Sequence, residues 1–149
     1  MTPPTPADID FNGKSAQEKY MLSVSIGNDG MQHGSTWCYA SIDDVKANFK
    51  KAGLLSENVQ FIQGDVLKTL NEIIPERISV LRLDTDWYES TKKEMDTLYT
   101  RIVPGGVFMV DDYGHWGGCK KAVDEYFYTH KNRPLLHYID YTGRAGIKR

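Results

Sequence analysis

Two apolar runs that each end in acid constrain this chain more than any other feature. "ISVLRLD" spans residues 78–84 and "GGVFMVDD" spans 105–112, and both read as β-strands. The near-continuous apolar character of the first suits a sheet buried on both faces. Between them, Thr91 and Glu94 have the spacing of a capping box, and Met95, Leu98 and Ile102 fall on one helical face. Pro104-Gly105-Gly106 then offers a stop for that helix. The unit is strand, helix, strand.

The same alternation extends in both directions. Ser41 and Asp44 form a second capping-box pattern, followed by Ile42, Val45 and Phe49 at helical spacing and by Gly53 as a stop. "NVQFIQGD" reads as a short strand after it. Gly117-Gly118 precedes a helix carrying Ala122, Val123 and Phe127, which should halt near Asn132-Arg133-Pro134, and "LLHYID" and "AGIKR" are closing strands. Helices alternating with strands imply an α/β fold, a mostly parallel sheet with helices on both faces. With 149 residues and a 40% hydrophobic share, the chain suits a single domain. Residues 1–40 form a loop-rich opening segment and 41–149 the α/β core. Pro3, Pro4, Pro6, Gly27, Gly30 and Gly34 punctuate the first part, where "AQEKYMLSVSI" can form a short helix or strand.

In sheets of this kind, ligands bind beyond the carboxyl ends of the strands. Asp84, Asp86, Asp111 and Asp112 all fall at that edge. Two carboxylates about 5 Å apart repel by roughly 3 kcal/mol at an effective dielectric of 20. A cluster of them therefore favours a cation or a shared proton. All-oxygen ligation selects a hard ion such as Mg²⁺. The alternative is that these aspartates cap the following helices or sit in ordinary strand-end turns. Asp86, two residues beyond Asp84, is either an additional ligand or the cap of the helix beginning near Ser90, with a supporting role favoured over direct ligation. Trp87 and Tyr88 read as core or rim aromatics. Tyr113, His115 and Trp116 can line a substrate mouth, with His115 a candidate acid, base or orienting group.

Other chemistries are disfavoured. The net charge of −2, without basic clusters among aromatics, gives no footprint for nucleic acid. No apolar run is long enough to span a bilayer, and "MTPPTPADID" lacks the basic and apolar regions of a signal peptide. A cytoplasmic protein is expected. Cys38 and Cys119 are too few and too isolated for a disulfide framework or a structural zinc site. "GNDGMQHG" has the wrong spacing for a dinucleotide-binding loop.

The stretch "VLRLDTDWYESTKKEMDTLYTRIVPGGVFMVDDYGHWGGCKKAVDEY" resembles the macrocin O-methyltransferase-like family. "ASIDDVKANFKKAGLLSENVQFIQGD" and "LLHYIDYTG" extend the similarity over roughly residues 40 to 143. The resemblance implies a Rossmann-like methyltransferase fold using S-adenosylmethionine and Mg²⁺ to methylate a hydroxyl of a sugar or related polyol. It implies Asp84, Asp111 and Asp112 as metal ligands, Asp84 as the group assisting proton removal, and Asp65 as a cofactor-binding residue beside the adenine amino group. The family's first strand and glycine-rich cofactor turn are expected before this region and are lacking, so the chain corresponds to a C-terminal part. A homo-oligomer or a complementing N-terminal half is an expected partner. A non-catalytic interaction module is the alternative, and a Mg²⁺-dependent hydrolase or phosphoryl-transfer enzyme is a third reading.

Overall fold

A computed structural model describes residues 2–26, 32–35, 37 and 40–149. Gly27, Gly30 and Cys38 lie outside the described residues, as does most of "GNDGMQHG". Helix α1 (Ala16–Ser23) leads directly into β1 (Val24–Ile26), which pairs antiparallel with β2 (Gln32–Ser35). Thus "AQEKYMLSVSI" forms both a helix and a strand. Helix α2 (Ile42–Lys51) carries the expected capping box: Asp44 N–H donates to Ser41 Oγ at 3.1 Å, and Ser41 N–H donates back to the Asp44 carboxylate at 3.0 Å.

The expected strand "NVQFIQGD" does not form. Phe61 packs its ring edge-on to Phe49 of α2 at 5.2 Å, and the segment runs into the short helix α3 (Val66–Thr69). A strand exists only by hydrogen bonding to a neighbour, and no described strand lies beside these residues.

The second sheet has the order β3-β4-β6-β5, built from β3 (Ile78–Leu83), β4 (Ile102–Val110), β5 (His137–Tyr138) and β6 (Arg144–Ile147). β3 and β4 are parallel and joined through helix α4 (Tyr88–Leu98), as the strand-helix-strand pattern requires. The β4–β6 and β5–β6 pairs are antiparallel, so the described sheet is mixed rather than mostly parallel. β5 and β6 are joined by a short loop and so pair antiparallel, because a parallel return needs a long crossover, and β6 inserts between β5 and β4.

Helix α4 starts one turn earlier than its sequence pattern suggests. Thr91 is inside the helix and Glu94 turns inward to accept a hydrogen bond from Thr85 Oγ1 at 2.8 Å, so the Thr91–Glu94 capping box does not form. The cap comes from far away: Asp8, fully buried, accepts Tyr88 N–H at 2.7 Å together with the Thr5 N–H and hydroxyl. Gly118 lets this carboxylate approach, since a Cβ there would lie 1.8 Å from Asp8 Oδ1. Pro104-Gly105-Gly106 falls within β4, at the irregularity between its two paired stretches, and the preceding helix has already ended at Leu98.

Helices α4 and α5 (Gly117–His130) pack against each other and cover one face of the sheet. Leu83, Met95, Tyr99, Phe108, Val110, Val123 and Phe127 form the centre of that core. On the opposite face Val80 is 58% and Ile147 61% exposed, so at these positions the expected second helical layer does not cover the sheet. In β3, Ser79, Val80 and Arg82 are exposed, while Ile78, Leu81 and Leu83 are buried. Among the described residues no helix is long and apolar enough to cross a membrane.

Candidate functional site

The register of the parallel pair builds the site. Leu83 pairs with Val110, and Asp111 N–H donates to the Leu83 carbonyl at 3.0 Å, so the two strands end level. Asp84 and Asp111-Asp112 leave the sheet side by side. Beyond Asp84 the chain turns within three residues: Trp87 N–H bonds back to the Thr85 carbonyl at 2.7 Å, with Asp86 between them at φ 66. A γ-turn with its central residue in the left-handed region is strained and rare, and aspartate tolerates that region better than most side chains. The turn returns Asp86 to the mouth. Asp84, Asp86 and Asp112 each present a carboxylate oxygen, all within 4.8 Å of one another.

Arg82 sorts the four acids. Its Nε lies 3.1 and 3.0 Å from the two Asp111 oxygens, and a terminal nitrogen reaches Asp84 at 3.2 Å. Asp111 is thus held by a guanidinium, while Asp112 has a buried Oδ2 with no hydrogen-bond partner. Burial, and then the neighbouring Asp86 charge, push the Asp112 carboxyl well above the carboxylate range. Burial also raises Asp86, where Asp112 and His115 pull the other way, and it raises Asp84, where the Asp111 charge adds to it. A mouth in which Asp84, Asp86 and Asp112 resist ionisation is short of positive charge.

Asp65 faces the same region. It caps α3 through Leu67 N–H at 3.1 Å and accepts the Thr2 hydroxyl at 2.8 Å, which holds its carboxyl below the ordinary value. Asp65, Thr2, Asp84, Asp86 and Ser90 line one cavity of about 200 Å³.

The sequence pattern of the macrocin O-methyltransferase (TylF) family matches residues 11–145. The chain belongs to this family. Its relatives include a tetracenomycin-C rhamnosyl 4'-O-methyltransferase of Streptomyces olivaceus, 37% identical over 102 residues, which cover 68% of this chain and 39% of that protein. Demethyldecarbamoylnovobiocin O-methyltransferase of Streptomyces niveus is 42% identical over 86 residues, covering 58% of this chain and 33% of its own. Mycinamicin III 3''-O-methyltransferase of Micromonospora griseorubida is 38% identical over 103 residues, covering 69% and 40%. The solved structure of the O-methyltransferase NovP superposes with a TM-score of 0.70 at 37% identity, over 73% of this chain and 45% of NovP. The chain therefore spans about a third to two fifths of the length of these curated relatives.

Of the residues singled out from sequence, Asp84 and Asp112 come together and Asp111 stands beside them in the grip of Arg82. Asp86, expected to support the turn, joins the cluster itself. Arg82 joins them, and its signal in the sequence is its place two residues before Asp84 in a strand and so on the same side. Asp8 carried no local signal at all. Trp87 is buried core, stacked edge-on with Trp116 at 4.9 Å. Tyr113 is buried and donates to Asp124 at 2.7 Å, a structural role, whereas His115 reaches toward the Tyr141 hydroxyl at 3.4 Å.

Proposed function

We propose that this chain carries the metal and acceptor part of an O-methyltransferase that moves a methyl group from S-adenosylmethionine to a hydroxyl of a sugar on a natural product, with Mg²⁺ at the acidic mouth. The observation that carries the reading is the convergence of Asp84, Asp86 and Asp112 in a chain of this family. The mouth fits the ion: its donors are all oxygen, one buried carboxylate oxygen lacks a partner, and the acids repel one another. Asp84 and Asp112 would hold the cation, with Asp111 completing the set when Arg82 gives way. Bound there, the cation supplies charge that lowers the pKa of the acceptor hydroxyl. Asp84, on the open side of the mouth, is the candidate to receive the hydroxyl proton. Arg82 holds Asp111 at the rim of the mouth and also touches Asp84.

S-adenosylmethionine is the proposed donor by family. Asp65 is the candidate contact to its adenine amino group. The cavity beside Asp65, about 200 Å³, is smaller than the roughly 300 Å³ at which pockets for such ligands begin. This cavity by itself is thus too small for the whole donor.

Calorimetric titration of Mg²⁺ tests the reading: weak binding is expected, and it should vanish in Asp112→Asn. Unchanged binding in that variant overturns the metal assignment. Little methyl transfer to a rhamnoside is expected from this chain alone, and a tight one-to-one isotherm with S-adenosylmethionine would contradict that. A second reading, an interaction module, is favoured by the exposed apolar positions Val80 and Ile147. A stable oligomer on sizing, with no Mg²⁺ affinity, would select it.

A further inference from the structure

Arg144, at the start of β6, is only 7% exposed, and among the described residues no carboxylate forms an ion pair with it. Its Nη1 donates to the carbonyl oxygens of Asp140, Tyr141 and Gly143, at 3.1, 3.4 and 2.8 Å. The guanidinium carbon lies 3.6 Å from the centre of the Tyr138 ring. The Asp140 carboxylate feels the Arg144 charge but is taken up by the N–H groups of Thr142 and Gly143, at 2.8 and 2.6 Å. Buried charges are ordinarily paired, so this one calls for an anion.

Two more cations reach the same place. Lys120 Nζ lies 5.3 Å and the Arg144 guanidinium 5.6 Å from the centre of the Tyr113 ring, and Arg133 Nη2 donates to the Tyr113 hydroxyl at 2.8 Å. Lys120 and Arg133 share a single acid: Lys120 pairs with one Asp124 oxygen, and Arg133 Nη1 lies 3.2 Å from the other. Both side chains have donors beyond those bonds, since an ammonium carries three and a guanidinium five. Lys120, Arg133 and Arg144 border one cavity of about 450 Å³, with Tyr113, Leu136 and Tyr138 also in its walls. No carboxylate borders it, so Asp124 and Asp140 offset two of the three charges without occupying the space.

We propose that this cavity binds a phosphate group, with Lys120, Arg133 and Arg144 as its donors. The three come from different segments, α5, the loop after it and β6. A phosphate offers enough oxygens to take all three at once, whereas a carboxylate has only two. The volume lies within the range of small-molecule pockets, which leaves room for a group esterified to the phosphate. None of the acids at the mouth borders this cavity, so the site is independent of the metal assignment.

The test is an NMR titration of the metal-free chain with inorganic phosphate and with glycerol 3-phosphate, each against sodium chloride at matched ionic strength. Both phosphate compounds should give saturable shifts that chloride does not reproduce. Lys120→Gln and Arg133→Gln should each weaken phosphate binding about tenfold, the loss expected for one charged hydrogen bond. Lys121→Gln removes a lysine that pairs with Glu125 and does not border the cavity, and should leave the affinity unchanged. The Lys120 and Arg133 side chains are about half exposed, so these variants should fold, which circular dichroism checks. Tighter binding of glycerol 3-phosphate than of inorganic phosphate would make the ligand a phosphate ester, and equal or weaker binding would make it the free ion. Absence of saturable shifts, the same shifts in chloride, unchanged affinity in either Lys120→Gln or Arg133→Gln, or an equal loss in Lys121→Gln would each overturn the proposal.

Discussion

Arg82 holds Asp111 in a two-pronged pair across the ends of neighbouring parallel strands, with Nε 3.1 and 3.0 Å from the two carboxylate oxygens. The same guanidinium touches Asp84, and the two acids in turn hold Arg82 firmly in its charged form. One cation thus already sits at the rim of a mouth that wants another. Arg82→Gln should free Asp111 to face the cluster and raise Mg²⁺ affinity by about threefold, a modest gain because the pair is half-exposed and screened. Calorimetry at fixed ionic strength measures it, and a fall in affinity would mean that Arg82 positions the ligands.

Asp112 has a buried carboxylate oxygen without a partner, and its ionised form is opposed by burial and by Asp86. Asp112→Asn should therefore weaken Mg²⁺ binding by at least about tenfold while making the metal-free protein more stable, by roughly 2–4 °C in Tm. Thermal melts with and without Mg²⁺ separate the two effects. A drop in metal-free stability would show that the carboxylate is structurally required.

Asp8 ties the opening segment to α4 through three hydrogen bonds, from Thr5 N–H, Thr5 Oγ1 and Tyr88 N–H. Asp8→Ala leaves the helix N-terminus and a buried N–H unsatisfied, and should cost about 2–3 kcal/mol. Urea unfolding measures the loss. A change below about 0.5 kcal/mol, the range of ordinary surface substitutions, would show the cap to be dispensable.

Glu94 is buried against the sheet, and its carboxyl is pushed up to about 7 from 4.5, chiefly by burial, with the Asp84 charge adding to it. Its folded-state value lies above its unfolded one, so the unfolded chain releases this proton first as pH rises. Stability from the protonated form is full below about 4.5, declines between there and about 7, and stays low above. Glu94→Gln should flatten that slope and raise stability at pH 8, by up to about 3 kcal/mol before relaxation is allowed for. Melting temperatures from pH 4 to 8 test it, and parallel curves for variant and parent would refute the assignment.

Much of the fold was legible where local signals and tertiary packing agree. The Ser41–Asp44 capping box formed as written because both partners lie within one turn of the same helix. "ISVLRL" and "VFMV" became adjacent parallel strands because a helix between two apolar strands leaves few other arrangements. "NVQFIQGD" misled because its strand-like composition needs a neighbour that the described residues do not provide. Thr91 and Glu94 misled because a motif can describe a cap without showing whether a better one arrives from 80 residues away.

The sequence by itself determined that two apolar strands would end in acid at one edge, since alternation of strand and helix fixes their direction and so the end at which the carboxylates emerge. Only the tertiary structure decided which acids act together. The left-handed turn at Asp86 swings that carboxylate into the cluster, and the level ends of β3 and β4 deliver Asp111 to Arg82. Those choices depend on backbone angles and register, which are set by packing across the whole chain and leave no trace in the spacing of four aspartates.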